Sequence, residues 1–181
     1  MLFDAPLIPG LSVREALISV EEEGKLIAEI DRVELSPFQF QGFTGKRLTR
    51  SFGWAYDFNN GRFAETDAIP AWLLPARDKA ANFAGLEPDK LVQALVIRYD
   101  PGAGIGWHRD RPVFDQIVGL SLGAPAVLNF RQRADTGFRR VKLSLPERSA
   151  YHLSGDARAL WEHGIRSHEA LRHSITFRTL R

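Results

Sequence analysis

From residue 91 onward the sequence permits little besides short β-strands. LVQALVIRY (91–99), QIVGLSLG (116–123), AVLNFRQR (126–133) and HSITFRTLR (173–181) are rich in aliphatic and β-branched residues. Val141, Leu143 and Leu145 alternate with polar neighbours, the period-two pattern of a half-buried strand. DPGAG (100–104) and Gly123 to Pro125 break the runs as turns. About eight such strands, with no linker-like tract between them, predict an antiparallel sandwich or jelly roll. The chain is 44% hydrophobic over 181 residues, enough for a full core in one domain and incompatible with wholesale disorder.

The N-terminal half adds a helical layer. Ser19 followed by Glu22 fits a capping box, and Leu26, Ile27 and Ile30 share one face, so a helix is expected over about 20–31. Ser12 with Glu15 offers a competing start. AWLLPARDKAANFAG (71–85) reads as a second helix with Pro70 at its first position and its end near Gly85, although Pro75 leaves the start open. Between the helices Phe52, Trp54, Tyr56 and Phe58 alternate along one predicted strand, and Asn59-Asn60-Gly61 predicts a hairpin turn. Phe52 and Phe58 are expected in the core. No apolar run reaches the roughly 20 residues of a membrane span. MLFDAPLIPG lacks a basic signal-peptide start, so the expected setting is cytoplasmic, with no membrane and no obligate protein partner.

The chain has no cysteine, so a metal site here must use histidine and carboxylate ligands. His108-Arg109-Asp110 places an imidazole and a carboxylate on one face of an extended segment. His163 lies 53 residues further on, in the apolar stretch LWEHGI. Two histidines and one carboxylate cover one face of an iron ion and leave positions open for a cosubstrate and oxygen. A surface His beside a solvated Asp, and a packed core His, explain the same residues. In Arg172 to Arg178, residues 172, 174, 176 and 178 share a strand face, so two arginines and two hydroxyls point one way and Ile175 and Phe177 the other. Arginines turned inward need an anion, which a dicarboxylate would supply; a solvated outer face explains the alternation equally well.

The following blocks, in this order, carry a resemblance. RYDPGAGIGWHRD (98–110) with its H-x-D, GDARALWEHGI (155–165) with its His, and R-x-S-x-T-F-R (172–178) resemble the AlkB family of Fe(II)/2-oxoglutarate dioxygenases. The resemblance is close over about 90–181 and looser over 10–90. It implies an α+β fold with a double-stranded β-helix (jelly roll) core at about 91–181. N-terminal helices and a β-hairpin nucleotide-recognition lid would occupy about 10–90, and the whole would be a single domain. It implies Fe(II) on His108, Asp110 and His163, and 2-oxoglutarate with its distal carboxylate on Arg172. Arg178 would lie near the keto-acid end, and Tyr99 and Ser174 would line the same cosubstrate pocket. Ile97 and Ser174 stand where the family often has Asn, and Pro112 stands near an acid that reads the base in well-known members, so base preference does not transfer.

The implied activity is oxidative demethylation of N-alkylated bases in DNA or RNA, releasing formaldehyde, succinate and CO2, with O2 as cosubstrate. Trp54 and Tyr56 fall at the lid and would stack on the base. The net charge is only +2, but Lys46, Arg47 and Arg50 flank the lid, and Arg131, Arg133, Arg139, Arg140 and Lys142 surround a predicted hairpin at 134–137. Such clusters would contact phosphates or merely guard solvated strand edges. Two other readings stay open: a dioxygenase acting on a protein side chain or a tRNA base, and a non-enzymatic jelly-roll binding module.

Overall fold

The computed structural model describes residues 7–40 and 43–181. Its elements are β1 (Leu11–Arg14), α1 (Val20–Arg32), β2 (Ser36–Phe40), β3 (Phe43–Phe52), β4 (Trp54–Tyr56), β5 (Phe63–Glu65) and α2 (Leu74–Ala84). They continue as β6 (Gln93–Tyr99), β7 (Ile105–His108), β8 (Phe114–Gly123), β9 (Ala126–Arg133), β10 (Phe138–Leu145), β11 (Ala150–Leu153), α3 (Gly155–Ala159), β12 (Glu162–Ile165) and β13 (Arg172–Leu180). The major sheet runs β1-β11-β8-β13-β6-β3-β2 and the minor sheet β10-β9-β12-β7, while β4 and β5 form a separate hairpin. This is the expected jelly roll with a helical layer. No helix among the described residues is long and apolar enough to cross a membrane.

Period-two alternation builds two cores from one sheet. On the outer face of the major sheet Val96, Val118, Leu120, Leu122, Ile175 and Phe177 are buried against Leu26 and Ile30 of α1 and Ala76, Ala80 and Ala81 of α2. On the inner face Phe114, Ile117 and Leu153 pack against Leu128, Phe130, Leu145 and Ile165 of the minor sheet. β13 is central, paired with β6 and β8, with the helices packed on one face and the inter-sheet cavity on the other. Its arginine face therefore points between the sheets, where the solvated alternative would have put it outside.

The first helix begins where its cap dictates. Ser19 Oγ accepts from the Glu22 N–H at 3.1 Å, and Glu22 Oε2 accepts from the Ser19 N–H at 2.7 Å. The competing start at Ser12 is a strand instead, because residues 11–14 pair with β11. The second helix starts later than Pro70: Ala71–Leu73 form a 3-10 turn, and the α-helix takes Pro75 in its first turn, where a missing N–H costs nothing. It ends at Gly85, which adopts φ 70°. The short helix α3 is an addition that the sequence reading did not anticipate.

The aromatic row is divided by Gly53. Its φ of 81° ends β3 and turns the chain into the β4–β5 hairpin. Phe52 goes into the helix-side core, edge-on to Trp72 at 6.4 Å. Phe58 does not follow it: it lies beside Tyr56 at 4.9 Å and Phe38 at 5.0 Å, on the wall of the inter-sheet cavity. The expected turn is present, with the Asp57 carboxylate accepting from the Asn59 N–H and Gly61 at φ 72°. A Cβ at Gly53 would come within 2.0 Å of the Val92 carbonyl oxygen. Gly53→Ala combines this clash with the left-handed penalty, and its destabilisation is expected to exceed about 2 kcal/mol in urea unfolding.

Candidate metal centre and cosubstrate cavity

Strand pairing brings the two distant histidines together. β12 lies antiparallel to β7 with His163 directly opposite His108, and their ring centroids are 4.3 Å apart. Asp110 follows β7 and returns its carboxylate to the same point. Its Oδ1 lies 3.7 Å from His108 Nε2 and 3.5 Å from His163 Nε2. The donor atoms of all three residues lie within 4.8 Å of one another. His163 and Asp110 are 8% and 3% exposed against 32% for His108, so the cluster opens on one side only.

The electrostatics keep these groups in ligand form. Burial and the nearby His108 ring push the His163 imidazole down to about 3, and burial also lowers His108, so both rings are neutral and offer a lone pair. His108 Nδ1–H donates to the Gly106 carbonyl at 2.9 Å, which leaves Nε2 facing the cluster. Burial alone would raise Asp110, but the Arg178 guanidinium, ion-paired and hydrogen-bonded to it, outweighs burial and holds the carboxyl below the usual range. The carboxylate is divided between two tasks. Oδ2 accepts from Arg178 Nε at 2.5 Å, and Oδ1 faces the histidines. Arg178 is held in turn by Gln93 Oε1 at 2.8 Å.

The cluster opens into a cavity of about 790 Å³ between the sheets. Tyr99, Arg172, Ser174 and Arg178 all line it, as do His108, Asp110 and His163. Arg172 is 1% exposed. One of its terminal nitrogens donates to Ser121 Oγ at 3.0 Å, while Nε and the other terminal nitrogen are buried with no hydrogen-bond partner among the described residues. A buried guanidinium with two open N–H directions needs an acceptor that the chain does not supply. Tyr99 is its cross-strand neighbour, with the guanidinium 5.0 Å from the ring centroid. Ile97 and Ser174 are directly opposite each other, so both departures from the Asn pattern fall on one spot of the cavity wall.

The substrate-side expectations separate. Tyr56 lines the cavity, whereas Trp54 stacks on Phe63 at 4.9 Å and is not among the lining residues. The basic clusters separate as well. Arg47 is buried in the cavity wall, whereas Arg50 ion-pairs with Asp67 at 2.6 Å. On the β9–β10 hairpin Arg131 pairs with Glu162 at 2.6 Å and lies over Trp107. Tyr151 was missed by sequence reading. It stands opposite Gly119, and a Cβ there would come within 2.2 Å of its ring. A glycine inside a buried strand marks such a close approach, which was the available signal. Enclosure raises the Tyr151 phenol, with Asp110 adding to the effect.

The sequence model of the 2OG-Fe(II) oxygenase superfamily matches residues 11–178. The chain belongs to that superfamily, in its AlkB family. It is 34% identical over 165 residues to the tRNA (carboxymethyluridine(34)-5-O)-methyltransferase ALKBH8 of Macaca fascicularis, covering 88% of this chain and 24% of the relative. The chain thus spans about a quarter of that relative's length. Over 103 residues it is 35% identical to the alpha-ketoglutarate-dependent dioxygenase AlkB of Salmonella typhimurium, covering 54% of this chain and 44% of that protein. The solved structure of OsALKBH1 superposes with a TM-score of 0.69 at 17% identity, over 94% of this chain and 96% of that one, and shows the shared fold.

Fe(II) and 2-oxoglutarate are the cofactors of this family, and the residues present fit both. Three neutral or anionic donors would cover one face of an ion, and a buried guanidinium with N–H groups unpartnered among the described residues lines the same cavity. His108→Ala is expected to abolish Fe(II) binding, read by Co(II) absorption or calorimetry. Arg172→Ala is expected to retain Fe(II) while the 2-oxoglutarate requirement rises roughly 30-fold or more, the usual result of deleting one partner of a buried charged pair.

Proposed function

We propose that this chain is an Fe(II)/2-oxoglutarate-dependent dioxygenase that oxidatively removes N-alkyl groups from bases in DNA or RNA. The observation that carries the reading is the shared cavity. A two-His, one-Asp face and an orphaned buried guanidinium line it together, and Phe38, Tyr56 and Phe58 form its outer wall. A structural His–Asp pair in a binding module would not need that second, unpartnered cation.

In this reading His108, Asp110 and His163 hold Fe(II) through Nε2, Oδ1 and Nε2. Arg178 grips Asp110 Oδ2 and so fixes which carboxylate oxygen is presented. Arg172 takes the distal carboxylate of 2-oxoglutarate, with Tyr99 and Ser174 beside it. Tyr56 offers a face on which an extruded base stacks, and Trp54 holds β4 against β5 through Phe63. The apolar walls from Ile117, Leu128 and Ile165 exclude water from the reacting end. When bound, iron with 2-oxoglutarate and O2 supplies a two-electron oxidation of C–H to C–OH, one oxygen atom entering the substrate and the other the succinate that remains after CO2 leaves. An N–CH2OH group then loses formaldehyde as its hydroxyl proton departs and nitrogen regains a proton, which restores the base.

The helical layer, the hairpin lid and the jelly roll act as one catalytic domain in this account. A second reading keeps the chemistry and takes a tRNA base, and the tRNA-modifying name carried by the ALKBH8 relative favours it. Both are tested by offering methylated single-stranded DNA, methylated RNA and total tRNA with Fe(II), 2-oxoglutarate and ascorbate. Formaldehyde release matching succinate is expected with DNA or RNA. Continued 2-oxoglutarate turnover without product from either, together with a mass change in tRNA, would replace the first reading by the second.

A further inference from the structure

The outer part of the cavity contains two arginines that the reaction described above does not use. Arg47 enters from β3, is 8% exposed, and places its guanidinium 4.0 Å from the Phe38 ring centroid. Its buried Nε has no hydrogen-bond partner among the described residues. Arg111 follows the metal-ligand segment and lies over Tyr56 at 4.5 Å and Phe58 at 5.0 Å. Its Nε is also buried without a partner. One face of each of these rings is thus already covered by the protein's own cations.

No acid offsets this pair. Among the described residues lining the cavity the carboxylates are Asp57 and Asp110. Asp110 is spent on Arg178 and the metal face. Asp57 is exposed at the turn and accepts from the N–H groups of Asn59 and Asn60. Burial lowers the Arg47 guanidinium from its ordinary value, and the nearby Arg178 adds to the effect. A ligand bringing oxygen acceptors relieves both unpartnered groups, whereas a ligand bringing a positive charge adds repulsion to desolvation.

We propose that Arg47, assisted by Arg111, makes this cavity select bases that are neutral or anionic and carry oxo groups, of the N-alkylated uracil or thymine type, over cationic N-alkylated cytosine or adenine. The inference rests on the nucleic-acid reading given above. Guanidinium N–H groups donate to a carbonyl oxygen of the base, and the aromatic wall stacks on its ring. Arg47 is therefore a specificity-determining residue on the substrate side, remote in role from the metal ligands and from Arg172.

The test uses two single-stranded oligonucleotides that differ only in a central N3-methylthymine, which is neutral, or N3-methylcytosine, which is cationic at neutral pH. Both are offered together to the loaded full chain, and the two demethylated products are read by mass spectrometry. Thymine is expected to be restored about tenfold faster than cytosine, as like-charge exclusion predicts. Because the ratio is taken within one tube, it is insensitive to any general loss of activity. Arg47→Gln should bring the ratio close to one, and Arg47→Lys, which keeps the charge, should retain most of it. Anisotropy of labelled oligonucleotides on the metal-free chain should show the same order. Equal or faster repair of cytosine, or a ratio unchanged by Arg47→Gln, overturns the inference and leaves the demethylase reading standing. No product from either oligonucleotide while 2-oxoglutarate is consumed overturns both.

Discussion

Two guanidinium groups on the inner face of β13 govern the electrostatics of the cavity. A central strand enclosed on both sides cannot leave a cation unanswered, because burial without an acceptor removes hydration and returns nothing. Arg178 finds its answer inside the chain, in Asp110, and this pair ties the central strand of the major sheet to the segment after β7 of the minor sheet. Among the described residues Arg172 finds Ser121 Oγ as its hydrogen-bond acceptor and the Tyr99 ring beside it, but no carboxylate. The difference divides the cavity into a part completed by the protein and a part that a small anion must complete.

The metal face depends on the same arrangement. Asp110 would be raised by its burial if Arg178 did not offset it. Its ionised form is therefore a property of the assembled sheets. His163 is neutral for the opposite reason, since the enclosure that endangers the carboxylate removes the proton from the ring. The helical layer contributes indirectly. α1 is fastened to β13 by the 2.8 Å contact of His173 with Asp31, and α2 covers the outer face, so the strand carrying both arginines is fixed from behind.

Much of this was legible beforehand because it depends on short-range periodicity. The strand limits of β9 coincide with the run read from the sequence, the Ser19 cap places α1, and the i, i+2 spacing of His108 and Asp110 needs only an extended backbone. The aromatic row shows where that reasoning stops. Alternation predicted one continuous face, yet Gly53 at positive φ sends Phe52 into the core and Phe58 to the cavity. The later start of α2 and the presence of α3 were likewise decided by local turns that residue spacing does not encode strongly. Tyr151 escaped notice because its partner is Gly119, a cross-strand relation invisible in one dimension.

By itself the sequence determined which residues share a face, which residues can ligate a metal, and that no thiolate could take part. Those properties follow from side-chain chemistry and from backbone periods of 2.0 and 3.6 residues. Only the tertiary structure decided that His163 sits opposite His108, that the arginine face of β13 points inward, and that Arg47 enters the cavity while Arg50 is drawn off by Asp67. Register and layer order arise from burying apolar area across distant segments, so charge pairing and desolvation at the site are set by contacts that no local pattern contains.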